Sequence, residues 1–266
     1  MKDNLFNSAF AKNSKFDKNF VGNISKENEW LFLVSQFKFY LAGLGNNNED
    51  KLFIPKKIHQ IWLGGKKPPN KFIPWMKSWQ KLNPDWEYKL WDEENIKELN
   101  INDFNIYSKK INPGYRSDIL RYIILHKFGG LYADTDFECL KPIPFNILKY
   151  KFIAGLMFGN GPCIGNSILL SSPKFIFLEK ILNNIKLAKY ENDIDYIIKT
   201  SGPEMITKQY FILKDHIWKE SLILPSNYFY PYPNFLINQK IDKYKEIEDV
   251  SIGIHHWEMS WMKKNL

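Results

Sequence analysis

The sequence predicts an α/β protein in which helices flank one mixed central sheet. Residues 57–63 and 86–91 alternate apolar and polar side chains and are rich in β-branched and aromatic residues, as half-buried strands are. Residues 72–82 and 115–127 instead repeat apolar side chains at helical spacing. Breaks rich in glycine, proline and asparagine separate these segments. Strand, helix, strand, helix is the order of a Rossmann-like sheet.

Further elements follow along the chain. A short helix is expected after Asp92, and a short strand at 131–133 is expected to end at Asp134. The later segments predict strands at 152–158, 167–170 and 222–224, helices at 175–188 and 203–213, and a last strand followed by a polar and aromatic tail within 251–264.

Length and composition favour one folded unit with a lead-in. The chain has 266 residues, of which 44% are hydrophobic and 16% aromatic, so it can bury a substantial core. We expect the folded domain over residues 51–266, with a closing C-terminal tail, and a helical or loosely ordered lead-in over 1–50. Within the lead-in, residues 30–44 show helical spacing but are too short to cross a bilayer. A packed amphipathic helix is favoured, and a helix lying on a membrane surface stays open as an alternative.

The charge and the cysteines limit the classes of partner. The formal net charge is +8, from 37 Lys and Arg against 29 Asp and Glu, which gives a diffuse positive field. No nucleic-acid motif accompanies this field, so nucleic acid is not an expected partner. Cys139 and Cys163 lack the spacing of zinc ligands and are expected to be free thiols. Because the first residues show no secretory signal, we expect a cytoplasmic location, with the inner face of the membrane and peripheral membrane association as alternatives.

An acidic pair follows the predicted strand at 131–133. Asp134 and Asp136 are two residues apart where the strand ends, and ligands of open α/β sheets bind beyond the carboxyl ends of strands. Such carboxylates can bind a divalent cation, which stabilises the negative charge on a departing diphosphate. Asp-x-Asp alone is a weak signal, but here it follows an apolar strand, a Gly-Gly turn and the helix at 115–127.

That helix presents a second pair of charges. Asp118 and Arg121 are three residues apart and share a helix face. The ordinary interpretation is a surface ion pair of little energetic value. The functional interpretation is that Arg121 contacts sugar or phosphate oxygens and that Asp118 accepts hydrogen bonds from sugar hydroxyls.

Aromatic residues mark two further candidate segments. Ile61, Trp62 and Gly64 lie where the first strand ends, where an indole can stack on a base and a glycine allows close approach of the backbone. Near the C-terminus, the run His255-His256-Trp257 is followed by Ser260 and Trp261, so imidazole, hydroxyl and indole groups could close over a ligand.

Three segments together resemble a known family. IPKKIHQIWLGG, YRSDILRYIILHKFGGLYADTDFECLKPI and HHWEMSW occur in the order found in DXD-containing sugar transferases, which include initiating mannosyltransferases and bacterial capsule or lipooligosaccharide transferases. The glucosyltransferase domains of large clostridial toxins are a more distant resemblance. The similarity covers residues 52–145 and the last dozen.

The resemblance implies a GT-A fold, a nucleotide-sugar donor such as a UDP- or GDP-sugar, a Mn²⁺ or Mg²⁺ ion, and retention of anomeric configuration. It implies that Trp62, with Ile61 and Gly64, binds the base and that Asp118 and Arg121 hold the donor sugar. The implied metal ligands and donor contacts are Asp134, Asp136, His256, Ser260 and Trp261, although the choice between His255 and His256 stays open. Residues 201–204 resemble a Gly-Pro motif that faces the donor or acceptor, and Asn166 is a candidate on the acceptor side.

The sequence therefore favours a glycosyltransferase that transfers a hexose to a glycan in surface polysaccharide or lipooligosaccharide synthesis. A transferase that glycosylates a protein is one alternative. A metal-dependent phosphoryl or nucleotidyl transferase is another, with Glu138 as the further carboxylate that a two-metal site needs. A binding module without catalysis is disfavoured, since it would not need a metal site.

Overall fold

A computed structural model describes residues 27–43, 51–101, 106–158, 161–185, 193–239 and 241–258. The strands are β1 (Lys57–Ile61), β2 (Glu87–Trp91), β3 (Gly130–Ala133), β4 (Phe137–Cys139), β5 (Phe152–Met157), β6 (Cys163–Ser171), β7 (Ser221–Leu224) and β8 (Gly253–His255). The α-helices are α1 (Glu27–Gly43), α2 (Ile73–Leu82), α3 (Pro113–Phe128), α4 (Ile176–Asn184), α5 (Ile194–Thr200), α6 (Pro203–Ile217) and α7 (Ser226–Phe229). Short 3₁₀ helices cover Asn70–Phe72, Asn95–Leu99, Phe145–Lys149, Asn234–Leu236 and Lys243–Glu246.

Six strands form one mixed sheet in the order β2-β1-β3-β6-β5-β7. β1 is parallel to both β2 and β3, β6 is antiparallel to β3 and β5, and β7 is parallel to β5. The helices pack against this sheet and bury its apolar side chains. The predicted fold class, a mixed central sheet flanked by helices, is therefore confirmed.

The turn between α3 and β3 brings the helix close to the sheet centre. The side chain of Asn112 caps the helix start by accepting a hydrogen bond from the Gly114 amide at 2.7 Å. The helix ends at Gly129 and Gly130, which have φ values of +65° and +101°. A Cβ on Gly130 would lie 2.5 Å from the carbonyl oxygen of Lys57 in β1. Glycine is required here because the chain must turn and approach β1 at the same residue.

Helix α1 packs on β7 and α6. Leu33, Phe37 and Tyr40 are buried, and the amide of Gln36 donates to the hydroxyl of Tyr210 at 2.8 Å. Gln36 also accepts a hydrogen bond from the backbone of β7 at 3.1 Å. Residues 30–43 are thus part of a packed helix, as the spacing of the segment favoured, and residue 44 lies outside the described residues. Within the part of the chain that the structure describes, no helix combines the length and the apolar character needed to cross a bilayer.

Two strands form a separate ribbon that the sequence did not predict as a pair. β4 follows the acidic segment, and β8 lies near the C-terminus, yet they pair antiparallel with Phe137 opposite His255. This ribbon carries the C-terminal segment to the end of β3, where Asp134 and Asp136 lie. The topology therefore brings residues 134–136 and 255–258 together.

Candidate active site

A cleft of about 610 Å³ opens where β1 and β3 end. The start of α3, the loop after β1 and the segment after β8 complete its walls. Predicted site residues that line it are Ile61, Trp62, Gly64, Asp118, Arg121, Asp134, Asp136 and Asn166, and the wall also includes His255 and Trp257.

The two carboxylate oxygens of Asp134 have different neighbours. Its Oδ1 accepts a hydrogen bond from the Tyr132 hydroxyl at 2.5 Å and lies 3.3 Å from Nη2 of Arg121. Its Oδ2 lies 3.9 Å from Nε2 of His255. The backbone is fixed as well, because the Asp134 carbonyl accepts from the side chain of Gln60 at 3.1 Å. The carboxylate is therefore oriented before any ligand binds.

Asp136 is arranged in the same way. Its Oδ2 accepts a hydrogen bond from the Glu258 amide at 2.8 Å, and its Oδ1 lies 3.2 Å from Nε2 of His255. Burial raises the pKa of Asp136, but the nearby His255 and the hydrogen bonds together lower it by more than burial raises it. The net pKa therefore lies below its usual value. Asp136 is thus ionised at neutral pH although it is buried.

Of the two adjacent histidines, His255 is the one beside the aspartates. Its ring stacks on Phe137, with ring centroids 5.2 Å apart, and its Nδ1 is buried without a hydrogen-bond partner in the described chain. His256 faces the other way: its Nε2 lies 2.9 Å from Oε2 of Glu138, and its ring stacks on Trp75 at 3.9 Å. Of the two histidines between which the sequence left the choice open, the structure therefore brings the imidazole of His255, and not that of His256, next to the acidic side chains.

The Asp118–Arg121 pair lies in the wall of the cleft and is buried rather than exposed. Nη2 of Arg121 is 3.0 Å from Oδ1 of Asp118, and Nη1 donates to the carbonyl of Asn166 at 2.6 Å. Asp118 also accepts from the amide of Asn166 at 2.9 Å and from the hydroxyl of Ser201 at 2.8 Å. Burial raises the pKa of Asp118 to about 6 although Arg121 opposes this shift. The ordinary interpretation as a solvent-exposed surface pair is therefore wrong.

The opposite wall is the loop that follows β1, residues 62–67, called here the rim loop. Trp62 is half-buried, packs edge-on against Phe72 at 5.4 Å and donates its indole N–H to the Lys66 carbonyl at 2.7 Å. Gly64 and Gly65 have φ values of +110° and +76°, where other residues would be strained. The loop thus presents an indole and backbone groups to the cleft.

The donor set fits a divalent cation. One ligand atom from each of Asp134, Asp136 and His255 lies within 4.8 Å of the other two, and the chain outside the undescribed segments forms no other such group. Two carboxylates and an imidazole suit Mn²⁺, whereas Mg²⁺ prefers oxygen ligands alone. These three residues, from two distant parts of the chain, are the ones that would hold the ion.

The remaining predicted residues differ in their outcome. Ser260 and Trp261 lie outside the described residues. Glu138 is bound by His256 and by the Tyr244 hydroxyl at 3.0 Å, and it does not join the group formed by the two aspartates. Cys139 and Cys163 form no disulfide within the described part of the chain.

One residue at the site, Tyr132, was missed from the sequence, and Ser201 was predicted to lie at the site but not to contact Asp118. Tyr132 holds Oδ1 of Asp134, and Ser201 holds Oδ2 of Asp118. For Tyr132 a signal existed: it precedes Asp134 by two residues, so both side chains of the strand point to the same side. Ser201 belongs to the 201–204 segment, but no local pattern links it to Asp118.

The chain is similar in sequence to known sugar transferases. Inositol phosphoceramide mannosyltransferase 3 of Schizosaccharomyces pombe is 29% identical over 156 residues, which are 56% of this chain and 43% of that protein. Mannosyl phosphorylinositol ceramide synthase CSH1 of Saccharomyces cerevisiae is 32% identical over 169 residues, or 59% of this chain and 43% of that protein. The chain thus spans less than half the length of these two relatives. Among solved structures, PaToxG Glycosyltransferase has 19% sequence identity and a TM-score of 0.48, over 70% of this chain and 79% of that chain.

A family model matches the middle of the chain. Residues 69–153 match the model described as glycosyltransferase sugar-binding region containing DXD motif. This stretch includes Asp118, Arg121, Asp134 and Asp136, the residues that line one side of the cleft. The resemblance seen in the sequence is confirmed over these residues, which are similar to the DXD-containing sugar-transferase family.

Proposed function

We propose that the protein is a metal-dependent glycosyltransferase that transfers a hexose from a nucleotide sugar. The observation that carries this proposal is the convergence of Asp134, Asp136 and His255 within 4.8 Å at one cleft. These side chains come from the end of β3 and the end of β8, so their convergence is a property of the fold. Two carboxylates and an imidazole beside a cleft with an indole rim suit a cation and a nucleoside diphosphate.

The residues around the cleft have separate roles in this proposal. Trp62 on the rim loop stacks on the base of the donor, while Asp118 and Arg121 on the other wall bind hydroxyl groups of the donor sugar. Both members of this pair are already oriented by Asn166 and Ser201. Such preorganised groups lose little entropy when the sugar binds.

The bound cation supplies stabilisation of the charge that develops on the leaving diphosphate. The protein orients the carboxylates, and Arg121 adds a fixed positive charge 3.3 Å from Asp134. The acidic residues that line the described cleft are Asp118, Asp134 and Asp136, and each already has a charged or hydrogen-bonding partner. In this proposal Asp134 and Asp136 hold the cation and Asp118 binds sugar hydroxyls, so none of these three carboxylates is assigned as a nucleophile. We therefore favour retention by a front-side route, in which the leaving phosphate helps to deprotonate the acceptor.

Mannose is the first candidate for the transferred sugar, because the two fungal relatives are named as an inositol phosphoceramide mannosyltransferase and a mannosyl phosphorylinositol ceramide synthase. We retain a glycan of surface polysaccharide or lipooligosaccharide as the acceptor class inferred from the sequence, with an inositol phosphoceramide-like lipid and a protein as alternatives. A cytoplasmic site of action remains part of the proposal. A phosphoryl-transfer function has less support, since Glu138 is turned toward His256 and Tyr244.

A donor panel tests this proposal. The protein is incubated with GDP- and UDP-hexoses and Mn²⁺, and release of nucleoside diphosphate, free sugar and pyrophosphate is measured. We expect metal-stimulated release of nucleoside diphosphate from one donor and about 10²-fold less in Asp136→Asn. The matched control is Asp215→Asn, at an exposed carboxylate near the C-terminal end of α6, and it should leave the rate unchanged. Pyrophosphate as product, or equal rates in Asp136→Asn, would contradict the proposal.

A further inference from the structure

A buried arginine lies behind the cleft and takes no part in the chemistry proposed for it. Arg116 in α3 is 1% exposed and is not among the residues that line the cleft. Its Nη1 and Nη2 donate to the two oxygens of Glu93 at 2.8 Å and 2.6 Å, and its Nε donates to the carbonyl of Ile106 at 2.5 Å. Burying a guanidinium is costly unless it is paired, so this fork-to-fork contact satisfies the charge.

The pair continues to the rim loop. Oε1 of Glu93, the oxygen that accepts from Nη1 of Arg116, also accepts from the backbone amide of Gly64 at 3.0 Å. The hydrogen bonds from Arg116 lower the pKa of Glu93, with a smaller contribution from the Gly64 amide. Glu93 is therefore a fixed acceptor that joins α3 to the rim loop.

The rim loop needs such an attachment because its own structure is open. Gly64, Gly65, Lys66 and Lys67 are exposed, and no atom lies within 4 Å of a Cβ built on either glycine. Gly64 and Gly65 both adopt positive φ, and glycine populates positive and negative φ about equally well, so these residues do not hold the loop in one shape by themselves. Within the loop, the described hydrogen bond from the Trp62 indole joins residue 62 to residue 66. The Gly64 amide, in contrast, is held from outside the loop by the Glu93 carboxylate.

We infer that Arg116 is a positioning residue that holds the Gly64 amide through Glu93 and so keeps the rim loop in the shape that receives the nucleotide. The inference rests on the proposed function, because it assigns the rim loop to donor binding. Arg116 does not line the cleft, so it is not expected to contact the donor or the metal. Its loss is expected to weaken binding of the donor without changing the reacting groups.

The test uses three variants. Arg116→Met leaves Glu93 without its partner, while Arg116→Met combined with Glu93→Met removes both charges, so that no buried charge stays unpaired. The double variant is expected to recover most of the stability lost in the single variant but not the contact to Gly64. The matched control is Lys89→Met with Glu98→Met, which removes a 2.7 Å ion pair between β2 and the 3₁₀ helix that follows it.

Two measurements are made on each variant. Hydrogen exchange of the peptide covering 62–67 is expected to become about tenfold faster in the single and the double variant and to stay unchanged in the control. The KM for the donor is expected to rise about tenfold in the double variant, with kcat within about twofold of the unmodified protein.

The outcomes separate this inference from the proposed function. Unchanged exchange at 62–67, or a donor KM that returns to normal together with stability in the double variant, would mean that Arg116 is only structural. Failure of the unmodified protein to bind or hydrolyse any nucleotide sugar would instead refute the proposed function, while the exchange measurement would still decide whether Arg116 holds the loop.

Discussion

Replacement of Asp118 by asparagine should make the protein more stable at neutral pH and less active at the same time. Asp118 is 7% exposed and accepts hydrogen bonds from Asn166 and Ser201 in addition to its ion pair with Arg121. Burial outweighs these partners and raises its pKa from 3.8 to about 6. Folding therefore favours the protonated, neutral carboxyl, which asparagine imitates in size and charge.

The magnitude follows from this shift in pKa. A pKa of about 6 instead of 3.8 means that the ionised carboxylate is disfavoured in the folded protein by about 3 kcal/mol. Because the folded pKa lies above the unfolded one, the stability that the neutral Asp118 carboxyl contributes is fully present below pH 3.8. This contribution is lost as the pH rises through 6. Between pH 4 and pH 7 the loss is about 2 kcal/mol. The amide side chain of the Asp118→Asn variant cannot ionise, so this loss should be missing there.

Urea unfolding of both proteins at pH 4, 5, 6 and 7 measures the difference. The free energy of unfolding of Asp118→Asn, relative to the unmodified protein, should rise by about 2 kcal/mol across this range, while donor hydrolysis falls about 10²-fold because a charged acceptor for sugar hydroxyls is lost. Parallel pH profiles of stability would show that burial does not raise the pKa of Asp118. Full activity in the variant would show that Asp118 does not bind the donor sugar.

Three further predictions follow from the geometry. His255→Gln should weaken Mn²⁺ binding at least about tenfold in calorimetry, and His256→Gln by less than about threefold, because only His255 faces the aspartates; equal losses would contradict this assignment. Trp62→Ala should raise the dissociation constant of the nucleotide about tenfold, whereas Trp62→Phe should keep most of the affinity, and an unchanged constant in the alanine variant would exclude stacking. Gly130→Ala should lower the free energy of unfolding by about 2–3 kcal/mol in urea, because φ is +101° and the added Cβ meets a carbonyl of β1 at 2.5 Å. Gly43→Ala, with open space around it, is its control and should change little.

Local patterns were sufficient to predict the elements that carry the acidic pair. The strand at 57–63, the helix at 115–127 and the strand at 131–133 correspond to β1, α3 and β3, with bounds shifted by at most two residues. These segments have strong periodicity, and glycine or proline marks where they end. The position of Asp134 at the end of a central strand could be predicted for the same reason.

The pairing of distant segments could not be predicted in this way. β4 and β8 are three residues each, and they lie more than a hundred positions apart in the chain, so no local period announces their contact. That register places His255 opposite Phe137 and beside Asp136. Because successive side chains of a strand point to opposite faces, a shift of one residue would have placed His256 there instead. The sequence shows two adjacent histidines, and only the register chooses between them.

The burial of Asp118 and Arg121 also depends on long-range contacts. The spacing on α3 predicts a shared face, but Asn166 in β6 and Ser201 after α5 enclose the pair. Without these partners, a pair three residues apart on a helix has the pattern of a surface ion pair.

Nucleotide binding with and without Mn²⁺ shows whether a cation in this cleft binds the diphosphate. Calorimetric titration with GDP and UDP is carried out on the unmodified protein, Asp136→Asn and the control Asp215→Asn. Mn²⁺ should tighten binding of one nucleotide at least about tenfold in the unmodified protein and the control, and should have no effect in Asp136→Asn, because the cation links the carboxylates to the diphosphate. Equal affinity with and without Mn²⁺ in the unmodified protein, or undiminished Mn²⁺ dependence in Asp136→Asn, would contradict the assignment of this cleft.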